Sequence, residues 1–196
     1  MSEQPKLTLN EDLRRLWSGG TLYGVRCQQT WGGLYLLERL LGAHTFKGVV
    51  EYGTGHGALA VFLACWAVQQ GLTFVTVEKY QGGLTTGGVT DTKLLLGKLG
   101  VLPQDLDCLQ ESTAVAMVAQ VPAPRLWVLD NGNKPLEAAL VATVAGDDDL
   151  LAVHDYGTEM GDARIPAGWE KHQPWQEQAD SIGSKYLVLR KVKVNG

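Results

Sequence analysis

Five short stretches of this sequence carry residue types that can bind or react. The first is Glu51-Tyr52-Gly53-Thr54-Gly55-His56-Gly57, with three glycines at alternate positions after an acid. Glycine lets the chain turn sharply and lets a ligand approach the backbone with no side chain in the way. The spacing admits two readings. Gly53, Gly55 and Ala58 satisfy the G-x-G-x-x-G/A pattern of nicotinamide cofactor sites, while Gly53, Gly55 and Gly57 read as G-x-G-x-G. Glu78 follows about 20 residues later, where an acid can accept hydrogen bonds from ribose hydroxyls. Gln110-Glu111-Ser112 offers polar groups, with Ser112 suited to cap a helix. Asp130-Asn131-Gly132-Asn133-Lys134 and His154-Asp155-Tyr156-Gly157 bring carboxylates, an imidazole and an amine, the groups of proton transfer and cation binding. Asp147-Asp148-Asp149 is also acidic, but it precedes an apolar run instead of following one and reads as a solvated turn.

The elements that must position these residues follow from the apolar pattern. Residues 48–52, 72–77, 106–109, 125–129 and 150–153 are short apolar runs read as strands, with a further one over 186–192. Residues 58–70, 90–99, 112–120 and 135–145 read as helices between them. This alternation predicts an α/β fold: a Rossmann-like, doubly wound, mostly parallel sheet of about seven strands with helices on both faces. Residues 11–42 read as helical in two pieces, and residues 160–175, broken by Pro166, Gly168 and Pro174, as a loop or short strand. The expected organisation is an N-terminal helical arm or lid over 1–45, packed on a core over 46–196. In an open α/β sheet, ligands bind beyond the carboxyl ends of the strands. All five chemical stretches fall at such ends, as do the glycines of the 78–88 segment.

Composition removes other classes. Glycine makes up 24 of 196 residues, with no G-X-Y period. The net charge of −4 argues against a nucleic-acid partner. Arg190, Lys191 and Lys193 read as a solvated strand edge. The three cysteines have no CxxC spacing, which points to a reducing cytoplasm. No apolar stretch reaches the ~20 residues of a spanning helix, so no membrane partner is expected, and a homo-oligomer stays open.

The glycine loop, with Glu51 two residues before Gly53, resembles motif I of the class I S-adenosylmethionine (SAM) methyltransferases. Over residues 24–157 the chain resembles the cephalosporin-hydroxylase/macrocin O-methyltransferase group. The shared features are a G-V-x-x-Q-like segment (Gly24 to Gln29), an E-x-G-T-x-x-G loop, a turn at Asp130 to Asn133 in the place of the group's Asp-Gly-x-His, and His154-Asp155-Tyr156. The resemblance implies O-methylation of a small-molecule acceptor with SAM as cofactor. Glu51, Gly53, Thr54, Gly55, Gly57, Glu78, Glu111, Ser112 and Asp130 would hold SAM, Glu51 near the methionine amino group and Gln110 to Ser112 beside the adenine. Asp130 and Asp155 would hold a Mg²⁺ ion if one is used. Lys134, His154 and Asp155 are the catalytic candidates. Two departures stand out. Asn133 occupies the place of the group's histidine, leaving Lys134, with a lowered pKa, or His154 as the base. His154 stands where many metal-dependent members have an acid. The competing functions are a SAM-binding protein without transfer activity and a nicotinamide-dependent oxidoreductase.

Overall fold

The apolar runs become strands because both of their faces are covered. In the computed structural model, which describes residues 17–18, 21–22, 25–79, 89–173 and 175–193, β4 (Gly48–Tyr52), β7 (Arg125–Leu129) and β8 (Leu150–Val153) are buried at every position. With β5 (Thr73–Glu78), β6 (Gln104–Asp105), β9 (Trp169–Lys171) and β10 (Leu187–Lys191) they form one sheet of order β6-β5-β4-β7-β8-β10-β9. The first five strands are parallel, and β10 runs antiparallel to both neighbours. The mostly parallel, doubly wound α/β sheet of seven strands is therefore as the sequence predicts.

The pleat divides the core in two. Val49, Leu126, Val128 and Ala152 face the side covered by α1 (Trp31–Ala43) and α2 (Ala58–Gln70). Val50, Trp127, Leu129 and Leu151 face α4 (Glu111–Gln120) and α5 (Lys134–Val144). The connections are completed by α3 (Val89–Lys98) and α6 (Trp175–Ser181). α2 is apolar nearly all round, because it is buried along most of its length, and Gly71 in the left-handed region ends it.

Several local readings change in three dimensions. The first part of the 11–42 segment is not helical where it is described. It forms three two-residue antiparallel strands, β1 (Trp17–Ser18), β2 (Thr21–Leu22) and β3 (Val25–Arg26). The second part is helix α1, and Leu22, Val25, Leu34 to Leu37, Leu40 and Leu41 enter the same core as β4 and β7. The strand expected at 106–109 lies at Gln104–Asp105. Ser112 does not cap α4. The cap position is Gln110, without a side-chain bond. β10 is an interior strand, so Arg190, Lys191 and Lys193 are no sheet edge, and they pair with Glu170, Asp147 and Asp148. Asp149 is fully buried, while Asp147 and Asp148 stay exposed as expected. Gly24 and the glycines at 82, 83, 87 and 88 lie outside the described residues. No helix among the described residues is long and apolar enough to cross a membrane.

Candidate active site

The glycine loop leaves β4 and enters α2 through three alternating left-handed residues, Gly53 (φ 98°), Gly55 (φ 50°) and Gly57 (φ 87°). A β-carbon at Gly53 would stand 2.3 Å from the Asp130 carbonyl oxygen, and one at Gly57 only 2.0 Å from the Thr92 methyl. The loop is thus pressed on one side against the β7 turn and on the other against α3. Backbone bonds pin three site turns to neighbouring strands: Gly53 N–H donates to Val77 O, Asp130 N–H to Tyr52 O and His154 N–H to Leu129 O.

These turns open on a cleft of about 340 Å³ at the carboxyl edge of the sheet, within the size range of small-molecule sites. Of the residues singled out in the sequence, Gly53, Thr54, Gly55, Gly57, Glu78, Asp130, Lys134, His154 and Asp155 line it. Glu78 accepts a hydrogen bond from Gly55 N–H, and its neighbour Lys79 pairs instead with Asp107 at 2.8 Å. Glu111 and Ser112 lie on the exposed first turn of α4 and are not among the residues lining the cleft, so the structure does not bring them to the site.

Glu51 points to the α1/α2 side of the sheet, in step with Val49, is fully buried, and is not among the residues lining the cleft. Neither of its oxygens completes a hydrogen bond with another described residue. Burial pushes its carboxyl up to about 8, against the pull of the Thr76 hydroxyl, with the charges of Asp130 and Glu78 adding to the rise. Between the ordinary 4.5 and about 8 the folded chain therefore keeps a proton that the unfolded chain has lost. Stability on this account is full below pH 4.5 and falls as pH rises towards 8, by at most about 4–5 kcal/mol. Glu51→Gln is expected to remove that slope and to be the more stable protein at pH 8. Urea unfolding of both proteins at pH 5 and pH 8 measures it, and parallel losses in the two would refute the assignment.

At the other end of the cleft, Asp130 and Asp155 face each other across Lys134. The Lys134 ammonium lies 2.9 Å from Asp155 Oδ2, 3.3 Å from Glu159 Oε2 and 3.6 Å from Asp130 Oδ1, and its side chain is 6% exposed. Burial pulls its pKa down, but the Asp155 hydrogen bond and the carboxylate charges outweigh it and the net shift is upward. Lys134 therefore does not meet the requirement for a base, which is a lowered pKa. His154 Nδ1 stands 3.0 Å from Asp130 Oδ1 and 3.4 Å from Asp155 Oδ1. Neither ring nitrogen completes a hydrogen bond with a described residue, though the ring is buried and tilted on Tyr186 at 4.9 Å. Asp155 takes a left-handed conformation (φ 57°), a conformation of the kind that clusters where function demands it.

Asp130, His154 and Asp155 each offer a ligand atom, all within 4.8 Å of one another. Mg²⁺ prefers octahedral oxygen ligands. Here the third donor is an imidazole, and an ammonium already stands beside the same carboxylates. The residues present suit that organic cation better than the ion.

Three contributors escape a reading by motif. Gln29 donates to Asp130 Oδ2 and accepts from Tyr186 OH at 2.8 Å, so a buried relay fixes the Asp130 carboxylate. The Gly24 to Gln29 segment was a visible signal for Gln29, but nothing in the last strand marked Tyr186. Glu137 accepts from Asn133 N–H at 2.9 Å and from Asn131 N–H at 3.4 Å, shaping the β7 turn from inside α5. Asn133 is the N-cap of α5, its side chain accepting from Leu136 N–H.

No protein-family model matches the sequence, and no curated protein matches it. Solved structures do match in fold. CmcI with S-adenosylhomocysteine (SAH) has a TM-score of 0.61 at 11% identity, over 97% of this chain and 95% of that one. CmcI with Mg and SAM gives 0.57 at 12% identity, over 98% and 88%. The SAH-bound Podospora anserina methyltransferase PaMTH1 gives 0.50 at 12% identity, over 94% and 86%. The likeness spans nearly the whole chain, so this protein has the fold of these SAH- and SAM-bound proteins.

Proposed function

We propose that this protein is a SAM-dependent methyltransferase acting on a hydroxyl group of a small molecule. The observation that carries the reading is the convergence on one cleft of the left-handed glycine loop with Glu78 on one side and Asp130, His154 and Asp155 on the other. Placement at the carboxyl edge of a sheet whose fold is shared with SAH- and SAM-bound proteins supports it. The loop backbone takes the nucleoside, Glu78 the ribose hydroxyls, and Asp130 the methionine ammonium. Arg26 and Gln28 close a wall of the cleft from the N-terminal arm, which serves as a lid.

The reaction is an in-line displacement. The acceptor oxygen bonds to the methyl carbon as the carbon–sulfur bond breaks, and sulfur keeps the electron pair to leave as SAH. Most of the rate comes from holding the two reactants in line. His154 takes the acceptor proton. Lys134 stays charged. The acceptor is a small molecule, with no nucleic-acid or membrane partner, and the protein works in the cytoplasm.

Calorimetric titration with SAM and with NADH tests the reading. SAM is expected to bind. NADH binding without SAM binding would refute it in favour of a nicotinamide oxidoreductase. The use of Asn133 as a cap, not as a base, favours one further reading, a SAM-binding protein without transfer. SAM binding with no methylation across phenol, sugar and antibiotic scaffolds would establish that reading.

A further inference from the structure

The positive charge between Asp130 and Asp155 belongs to the chain itself. Lys134 is the first residue of α5, fixed there by the Asn133 cap before it and Pro135 after it. Its ammonium has three hydrogens and three carboxylates around it, those of Asp155, Glu159 and Asp130. The side chain is almost wholly buried, and a buried ammonium is tolerated only where such counter-charges surround it. The carboxylates it holds are also those that, with His154, would ligate a metal. A divalent ion within reach of those atoms would stand beside the ammonium, and like charges at that separation repel strongly. His154 weakens the site for such an ion further, since a neutral imidazole supplies no compensating negative charge.

We propose that Lys134 is a built-in replacement for a divalent cation. It is a positioning residue that holds Asp130 and Asp155 in place, so that the protein binds no divalent metal between them. Resting on the methyltransferase reading, methyl transfer then proceeds without one.

Mn²⁺ is the probe, because it accepts both oxygen and nitrogen ligands. The full-length protein is titrated with Mn²⁺, and the free ion is followed by its paramagnetic resonance signal. The wild type is expected to take up none at this site. Lys134→Ala is expected to bind one Mn²⁺ per chain at least about a hundredfold more tightly than the wild type, and the added change Asp155→Asn to abolish that binding. Lys134→Ser, with a polar group at the first helical position, replaces the alanine variant if that one does not fold. A wild-type site for one Mn²⁺ that Asp155→Asn removes would overturn the proposal, as would folded Lys134 variants that take up no Mn²⁺. A merely structural lysine would not create a metal site on removal. The measurement needs no turnover, so a failure of the methyltransferase reading, seen in the SAM titration, stays separate from a failure here.

Discussion

Asp149→Ala is expected to lower folding stability by about 3–5 kcal/mol, the cost of stripping one partner from a buried ion pair. Asp149 is fully buried at the amino edge of the sheet, opposite the cleft. Its carboxylate accepts from Arg125 N–H at 2.8 Å, the Arg125 guanidinium at 3.0 Å, Gly146 N–H at 3.0 Å and the Trp127 indole at 3.1 Å. Arg125 also donates to Val121 O and Val118 O, at the end of α4. Removal of Asp149 leaves a buried guanidinium with no counter-charge and an indole N–H with no partner. For a chain of this size the loss corresponds to a fall in melting temperature of roughly 6–20 °C. Thermal unfolding of Asp149→Ala beside Asp148→Ala measures it. Asp148 is exposed and pairs loosely with Lys193 at 3.6 Å, so its removal should stay within about 0.5 kcal/mol. Equal effects of the two changes would refute the assignment.

Gly53→Ala is expected to weaken SAM binding by at least about a hundredfold, since a misplacement of about 1 Å in a site is that damaging. Two independent obstacles meet at this residue. Its φ of 98° is one that alanine rarely adopts. The added carbon would also collide with backbone, at 2.3 Å from Asp130 O, 2.6 Å from Asp130 C and 2.8 Å from Asn131 N. Backbone cannot rotate away as a side chain can. The glycine loop and the Asp130 turn must separate, and the cleft loses the alignment of its two halves. The strain adds about 1–3 kcal/mol of destabilisation. Gly132→Ala is the control. Gly132 lies in the same turn, but a β-carbon there meets nothing within 4 Å, so SAM affinity and stability should be unchanged. Calorimetry on both variants measures the contrast, and wild-type affinity in Gly53→Ala would refute the proposed part played by the loop.

Much of the fold was legible because its causes are local. Short unalternated apolar runs separated by helical patterns identify buried parallel strands, and β4, β7 and β8 fell where the sequence placed them. The same local reasoning misread residues 17–18, 21–22 and 25–26, which it placed in a helix. Pairing among three very short strands, and burial of Leu22 and Val25 in the main core, decided the outcome. Within the site, Gly53, Gly55, Gly57, Glu78, Asp130, Lys134, His154 and Asp155 were all identifiable from position at strand ends. Glu111 and Ser112 were assigned by the same rule and lie outside the cleft lining, because the rule locates an edge of the sheet and not the extent of a cleft along it.

The sequence by itself determined where the chain must turn and which groups those turns carry, because left-handed glycines and strand ends are properties of a few consecutive residues. What the groups do to one another came from tertiary structure. Gln29 reaches Asp130 across 101 residues and Tyr186 reaches Gln29 across 157. The third acid of an apparently solvated turn became the buried partner of Arg125. Lys134, a candidate base when read beside Asn133, became a buried cation once Asp155 and Glu159 were folded against it. A side chain's charge and proton affinity depend on its solvent exposure and on charges within a few ångströms, and only the folded chain decides which residues those are.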